Sequence, residues 1–365
     1  MTNETEDRLA WLRLARSRNV GPASFRRLLG RYGEAEAALE ALPGLAARGG
    51  APKYQPCSRR QGEQEIERAL EIGATMLRLG EDGYPKRLAE IADPPPFLWA
   101  LGDVSLAEQD AIAVVGARNA SSLGLAMARR LASELGARGY VVASGFARGV
   151  DAAAHQAAIE TGTIAVMAGG VDYVYPKENA SLHFLIRERG LILSEAPIGL
   201  TPQGRHFPRR NRIVSGLSRG VALIEAAARS GSLITARFAL EQGREAMAVP
   251  GSPLDARADG CNELIRAGAA LIRNADDVEE ALSAPRTLTL HEEPSVFTPQ
   301  EAFDEPPPDL AARAQALLGP SAIEADVLAR DLSVHPALLA EALIEMEIAG
   351  VIERRAGGGV ALVAE

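Results

Sequence analysis

Cysteine is scarce in this chain: two residues, Cys57 and Cys261, in a length of 365. That excludes a disulfide framework and a cysteine-built zinc site, and it suits a reducing compartment, so a cytoplasmic protein is expected. Long hydrophobic runs are missing too. The longest stretch without Asp, Glu, Lys or Arg is the 11 residues from Thr161 to Val171, whereas a membrane-spanning helix needs ~20. The first ten residues, MTNETEDRLA, carry acids and no apolar run, so no secretory signal is visible. Neither a G-x-x-x-x-G-K-[ST] loop nor a clean G-x-G-x-x-G occurs, which leaves P-loop ATP binding and dinucleotide binding without support. Hydrophobic residues at 47% and charged residues at 24% exclude wholesale disorder.

Positive charge is in deficit overall, 39 Lys plus Arg against 48 Asp plus Glu, for a net charge of -9. Such a total disfavours nucleic acid as a partner. The deficit is local, however. Residues 112 to 275 hold 19 basic and 13 acidic side chains, a surplus of +6, while residues 276 to 365 hold 5 and 18, a deficit of -13. A sign asymmetry of this kind favours separate partners for separate domains.

Composition places the boundaries. A helical domain is expected over 1–80, a core over 81–283, a linker over 284–309 and a winged-helix domain over 310–365. The linker stretch holds six prolines and six acids without an apolar period, as extended linkers do. From Ala111 onward, short apolar runs alternate with helical patterns: AIAVVGA (111–117), YVVAS (140–144), TIAVMAG (163–169), LILSE (191–195), GVALIEA (220–226), EAMAVPG (245–251) and AALIR (269–273). Several lack the polar alternation of a one-faced sheet. The expected fold is α/β, a Rossmann-like, doubly wound, mostly parallel sheet covered on both faces.

On such a fold, ligands sit beyond the carboxyl ends of the strands. Gly116 and Arg118 follow the first run, and Ser144, Gly145 and Arg148 follow the second; glycine there lets backbone N–H groups approach phosphate oxygens. Ser230, Gly231, Ser232 and Thr235 form another small-residue turn opening a helix. Between them lies Arg205-His206-Phe207-Pro208-Arg209-Arg210-Asn211-Arg212, four guanidiniums within eight residues with one aromatic ring and one amide. Arginine grips phosphate bidentately, and an aromatic ring stacks on an unpaired base for ~1–3 kcal/mol. That combination fits single-stranded nucleic acid. Packing alone could also account for each turn, and Arg205 to Arg212 could pair with Glu195 or Glu225.

Taken in order, VGAR, SGFARGVDAAAH, TIAVMAGGVDYVYPKEN, LILSE, FPRRNRIVSGLS, EAAARSGSLITA and AVPG resemble the DNA-processing protein A (Smf) family, and the preceding YPKRLAEIADPPPFLWALGD fits that family's entry segment. The resemblance implies a homodimeric, cytoplasmic, non-catalytic protein of natural transformation that binds and protects incoming single-stranded DNA and helps load the recombinase RecA. Carried onto this chain, it puts Arg118 on a phosphate, Arg205, Arg209, Arg210, Asn211 and Arg212 in a basic wall, Phe207 against a base and Lys177 at the edge of the pocket. No cofactor, metal or membrane is implied.

Two catalytic readings compete. Ser144, Asp151 and His155 assemble a superficial triad. Glu225 with the Ser230 to Thr235 turn loosely resembles the glutamate and glycine-rich loop of phosphoribohydrolases, which makes a nucleotide-processing enzyme the alternative, although their diglycine loop is lacking. At the chain's start, Asn19-Val20-Gly21-Pro22 followed by Arg26, Arg27 and Arg31 resembles a helix-hairpin-helix or sterile-alpha-motif-like bundle. At its end, helices over 310–318, 323–331 and 336–349 precede the hairpin VIERRAGGGVALV. The third helix carries Glu341, Glu345 and Glu347 and no base, so phosphate is repelled and a protein partner is expected. Only Arg354 and Arg355 remain there for DNA.

Overall fold

The structure, a computed structural model, describes residues 3–283, 307, 309–355 and 359–363. Apart from Pro307 and Asp309, the expected linker lies outside the described residues. Two compact units form: Met1–Gln64 together with Thr287–Glu365, and Glu65–Arg286.

The chain begins with α1 (Asn3–Arg16), α2 (Pro22–Tyr32) and α3 (Ala35–Arg48), and α4 (Arg59–Glu71) carries it across the division. Pro22 opens α2 and Gly33, at φ +78°, closes it, the usual asymmetry of helix ends. Leu14, Phe25, Leu28, Leu42 and Leu45 form the core of this bundle.

The second unit runs β1 (Thr75–Arg78), α5 (Lys86–Ala89), β2 (Phe97–Gly102), β3 (Ala111–Gly116), α6 (Ser122–Ala137), β4 (Val141–Ser144), α7 (Val150–Ala158), β5 (Thr163–Val166) and α8 (Ala180–Arg189). It continues with β6 (Leu191–Ser194), α9 (His206–Leu217), β7 (Ser218–Ile224), α10 (Ser232–Glu241), β8 (Glu245–Ala248), α11 (Asp259–Arg266), β9 (Ala270–Leu271) and α12 (Ala275–Ser283). All nine strands share one sheet, in the order β1-β2-β6-β5-β4-β3-β7-β8-β9. The seven strands from β3 to β9 are parallel, each one expected from its apolar run. β1 and β2 were not expected as strands; they add antiparallel to the β6 edge, and β1 falls inside the stretch assigned to the helical domain.

Burial explains the missing alternation. Ile112 and Val114 pack with Leu131 and Leu135 of α6, whereas Ala113 and Val115 pack with Ile213 and Leu217 of α9. Both faces are therefore covered. The order also fixes where a ligand can go: the chain builds outward from β3 to β6, then returns to lay β7 on the other side of β3. This reversal opens a crevice beyond the carboxyl ends of β3 and β7.

The first unit is completed by α13 (Leu310–Leu317), α14 (Ala325–Leu332), α15 (Pro336–Ala349), β10 (Ile352–Arg354) and β11 (Val360–Leu362). Three helices and an antiparallel hairpin, with Ile352 opposite Leu362, make the expected winged helix. Leu310, Leu328, Leu339, Leu343 and Met346 form its core. Ile344 and Ile348 of the same helix instead pack into the core of the N-terminal bundle. The third helix is shared by two cores because its apolar residues lie on two stripes. Among the described residues, no helix is long and apolar enough to cross a membrane.

Candidate nucleic-acid interface

A cavity of about 570 Å³ occupies the crevice at the switch point. Its walls come from the loop after β3 (Gly116, Arg118, Asn119), the start of α9 (Phe207, Arg210, Asn211) and the turn into α10 (Ser230, Gly231, Ser232, Thr235), with Arg229 and Arg257 at the side. A second recess of about 310 Å³ is lined by Arg118, Gly145, Ala147, Arg148, Tyr175, Glu178 and Phe207. Arg118 and Phe207 belong to both. The guanidinium carbon of Arg118 stands 5.2 Å from the Phe207 ring centroid, within cation–π range. Tyr175 lies 5.7 Å from the same ring, tilted by 54°. Tyr175 is 47% exposed, so this small aromatic group reaches solvent.

Charge in this crevice is largely uncompensated. Arg118, Arg148 and Arg229 are exposed and line these cavities; among the described residues none of the three forms an ion pair. Arg205 is also exposed, at the start of α9. Lys177 is exposed beside the smaller recess, whose wall its neighbours Pro176 and Glu178 supply.

Arg210 and Arg212 of the expected basic wall turn inward, while Arg209 stays exposed. Arg212 is 4% exposed; it donates to the Asp93 carbonyl at 2.6 Å and to the Glu195 carboxylate. Arg209 pairs with the same Glu195 at 2.8 Å. Arg210 is 6% exposed and donates to the backbone carbonyls of Gly145 and Val166. The carboxyl ends of β4 and β5 are thereby tied to α9. Arg210 reaches the cavity wall, and its Nε and Nη1 are engaged inside the protein by Asn211 and the two carbonyls, which gives it a structural role. Burial pushes its guanidinium down to about 10, opposed by the Asp151 charge. Burial raises the Asp151 carboxyl, against the pull of Arg210 and of the Ala147 and Gly116 amides. A Cβ at Gly145 would fall 2.7 Å from the Arg210 guanidinium, so any larger residue there would displace it.

Ser144 was expected to meet DNA. It is fully buried and donates to the Val114 carbonyl at 2.7 Å. The superficial triad dissolves for the same reason: the Asp151 carboxylate accepts from the Ala147 amide at 3.1 Å, and His155 Nδ1 lies 2.7 Å from the Thr163 hydroxyl. Glu225 is equally committed. Its carboxylate accepts from the Ser121 amide at 2.7 Å and from the Ser121 hydroxyl, at the start of α6.

Four lining residues escaped the sequence reading. Tyr175 lies within TIAVMAGGVDYVYPKEN, but nothing in a linear pattern places it beside Phe207. Asn119 lay unremarked beside Arg118. Arg229 and Arg257 follow β7 and β8, where strand-end arithmetic alone would have nominated them.

A family model described as DNA recombination-mediator protein A matches residues 75–283. The chain belongs to this family. Models of the DprA-like N-terminal HHH domain and the DprA winged helix domain match residues 5–68 and 298–358. Among its relatives, the DNA processing protein DprA of Bacillus subtilis is 43% identical over 215 residues, 58% of this chain and 72% of that one. Protein Smf of Synechocystis is 31% identical over 386 residues, 95% of this chain and 96% of that one. Two solved structures of DprA proteins are also similar. That from Streptococcus pneumoniae has a TM-score of 0.63 at 34% identity, covering 74% of this chain and 96% of that one. That from Helicobacter pylori, described for its single-stranded DNA binding mode, has a TM-score of 0.52 at 32% identity, covering 57% and 95%. A recombination-mediator role in DNA processing follows from the DprA membership, and the phosphoribohydrolase alternative is not favoured.

Proposed function

We propose that the crevice between β3 and β7 binds single-stranded DNA without sequence preference and without catalysis. The observation that carries this reading is the Phe207 ring, flanked by Arg118 and Tyr175 and shared by two cavities. An unpaired base can stack on an aromatic face, whereas a duplex hides its bases from such a platform. Arg118, Arg148, Arg205 and Arg229 supply the sequence-independent attraction for the backbone. The single-stranded DNA binding described for the Helicobacter pylori relative supports the same ligand. In this reading the protein acts as a cytoplasmic homodimer, shields incoming strands during natural transformation and hands them to RecA.

Direct comparison of labelled single-stranded and duplex oligonucleotides by fluorescence anisotropy tests the proposal. Tighter binding of the single strand is expected, with log affinity falling against log salt by about 0.7 per phosphate neutralised. Equal affinity for duplex would remove base stacking from the account. Release of free base from nucleoside monophosphates would revive the enzyme.

A further inference from the structure

The acidic third helix of the winged helix is not open to solvent on its charged side. Within the first unit, Glu345 pairs with Arg48 at 2.6 Å and Glu341 with Arg31 at 3.5 Å. Ser24 donates to the Glu347 carboxylate at 2.6 Å, Asn19 to the Ile348 carbonyl at 3.0 Å and Arg27 to the Ala340 carbonyl at 3.5 Å. Every acid in these contacts comes from α15, and every base from α2 and α3. The match is one-sided.

We propose that the basic face carried by Arg27, Arg31 and Arg48 is a second DNA-backbone surface, and that α15 docks on it as an internal competitor. Glu341 and Glu345 stand one helical turn apart, about 6 Å along the axis, a ladder of negative charge of the kind a nucleic-acid backbone presents. The contact is also built to open. Glu347 has its own counterion, Arg354 at 3.2 Å, inside the winged helix, so undocking strands no buried carboxylate. Only Ile344 and Ile348 enter the bundle core from α15, and on the basic side Arg31 and Arg48 keep 37% and 55% of their side chains exposed, so these ion pairs are weakened by water and screened by salt. A polyanion in excess therefore displaces the helix by mass action. Unlike the crevice reading, this proposal needs no unpaired base.

The test uses the full chain with the crevice disabled by Arg118→Ala and Phe207→Ala, so that failure of the crevice reading does not affect it. In that background two openings are compared. Glu341→Gln with Glu345→Gln removes the competing charge and spares the Glu347–Arg354 pair. Gly49→Ala changes no charge, but its Cβ would fall 2.1 Å from the Glu345 carbonyl oxygen, wedging the backbones apart. Both are expected to tighten binding of a labelled duplex and of a labelled single strand by at least about tenfold and to steepen the salt slope by about one to two phosphates. Arg31→Ala with Arg48→Ala should abolish the gain. A gain from the glutamine pair alone would reduce the effect to net charge and overturn the proposal, as would unchanged affinity in both. Hydrogen exchange gives a second readout: DNA should raise exchange in 336–349 of the crevice-disabled protein. Protection unchanged by DNA but lost on adding polyglutamate would identify an acidic protein as the ligand instead and sink the assignment to DNA.

Discussion

Arg118 and Phe207 stand as a stacked pair, the guanidinium carbon 5.2 Å from the ring centroid, on the wall between two cavities. The two residues, one in the loop after β3 and one in the first turn of α9, lie about 90 positions apart, and they contribute differently to binding. Phe207→Ala is expected to weaken single-strand binding by the ~1–3 kcal/mol of a lost base stack, with an unchanged salt slope. Arg118→Ala should weaken binding and also flatten that slope by about 0.7. Anisotropy titrations across a salt series separate the two; a Phe207→Ala protein that binds like the parent removes the ring from the site.

Most of the fold was legible because its strands are buried on both faces. AIAVVGA and TIAVMAG have no polar alternation to confuse with a surface strand, and parallel pairing is the architecture that tolerates this. β1 and β2 escaped for other reasons: TMLR is only four residues long, and FLWALG follows three prolines that read as a boundary. In the crevice, sequence located the loops but not the direction of each side chain. Arg205, Arg209, Arg210 and Arg212 look equivalent in a row, yet one turn of helix separates solvent from interior, so Arg210 and Arg212 are buried while Arg205 is exposed. Tyr175 meets Phe207 only through the tertiary fold.

Arg210 yields a prediction that contrasts with Arg118. It holds the Gly145 and Val166 carbonyls, so Arg210→Gln should shift the loops around both cavities and cost ~1–3 kcal/mol of stability through buried carbonyls left without their donor. Single-strand affinity should fall while the salt slope stays that of the parent, because no phosphate contact is lost. Denaturant unfolding and the salt series check this together. A slope flatter by about 0.7 would return Arg210 to the phosphate-binding set.

Gly149 couples the loops after β3 and β4. It lies at φ +81°, and a Cβ there would fall 2.3 Å from the Ala117 carbonyl oxygen, the atom that accepts from Gly149's neighbour Val150. Gly149→Ala therefore combines backbone strain with a clash, and a loss of more than ~1 kcal/mol is expected. Thermal unfolding measures that loss. Because Ala117 and Arg118 move with the loop, single-strand affinity should drop in parallel; a destabilised protein with full affinity would uncouple this loop from binding.

His155 makes the core sensitive to mild acid. The Thr163 hydroxyl donates to the Val142 carbonyl at 2.8 Å, so His155 Nδ1–H is the donor in their 2.7 Å contact and Nε2 is left as a bare acceptor, buried and without a hydrogen-bond partner among the described residues. A proton on Nε2 would find no acceptor. Burial, helped by the Arg210 charge, holds this imidazole down to about 3, while in the unfolded chain it titrates near ~6.5. Above ~6.5 both states are neutral and the residue contributes no pH dependence. As pH falls from ~6.5 toward 3, the unfolded chain takes up a proton that the native core refuses, and stability declines by up to ~1.4 kcal/mol per pH unit. Urea midpoints at pH 7 and pH 5, read from Trp99 in a Trp11→Phe background, should show this loss. His155→Gln, which cannot titrate, should shed it, and a glutamine variant with the parent's pH dependence would assign the acid sensitivity to another group.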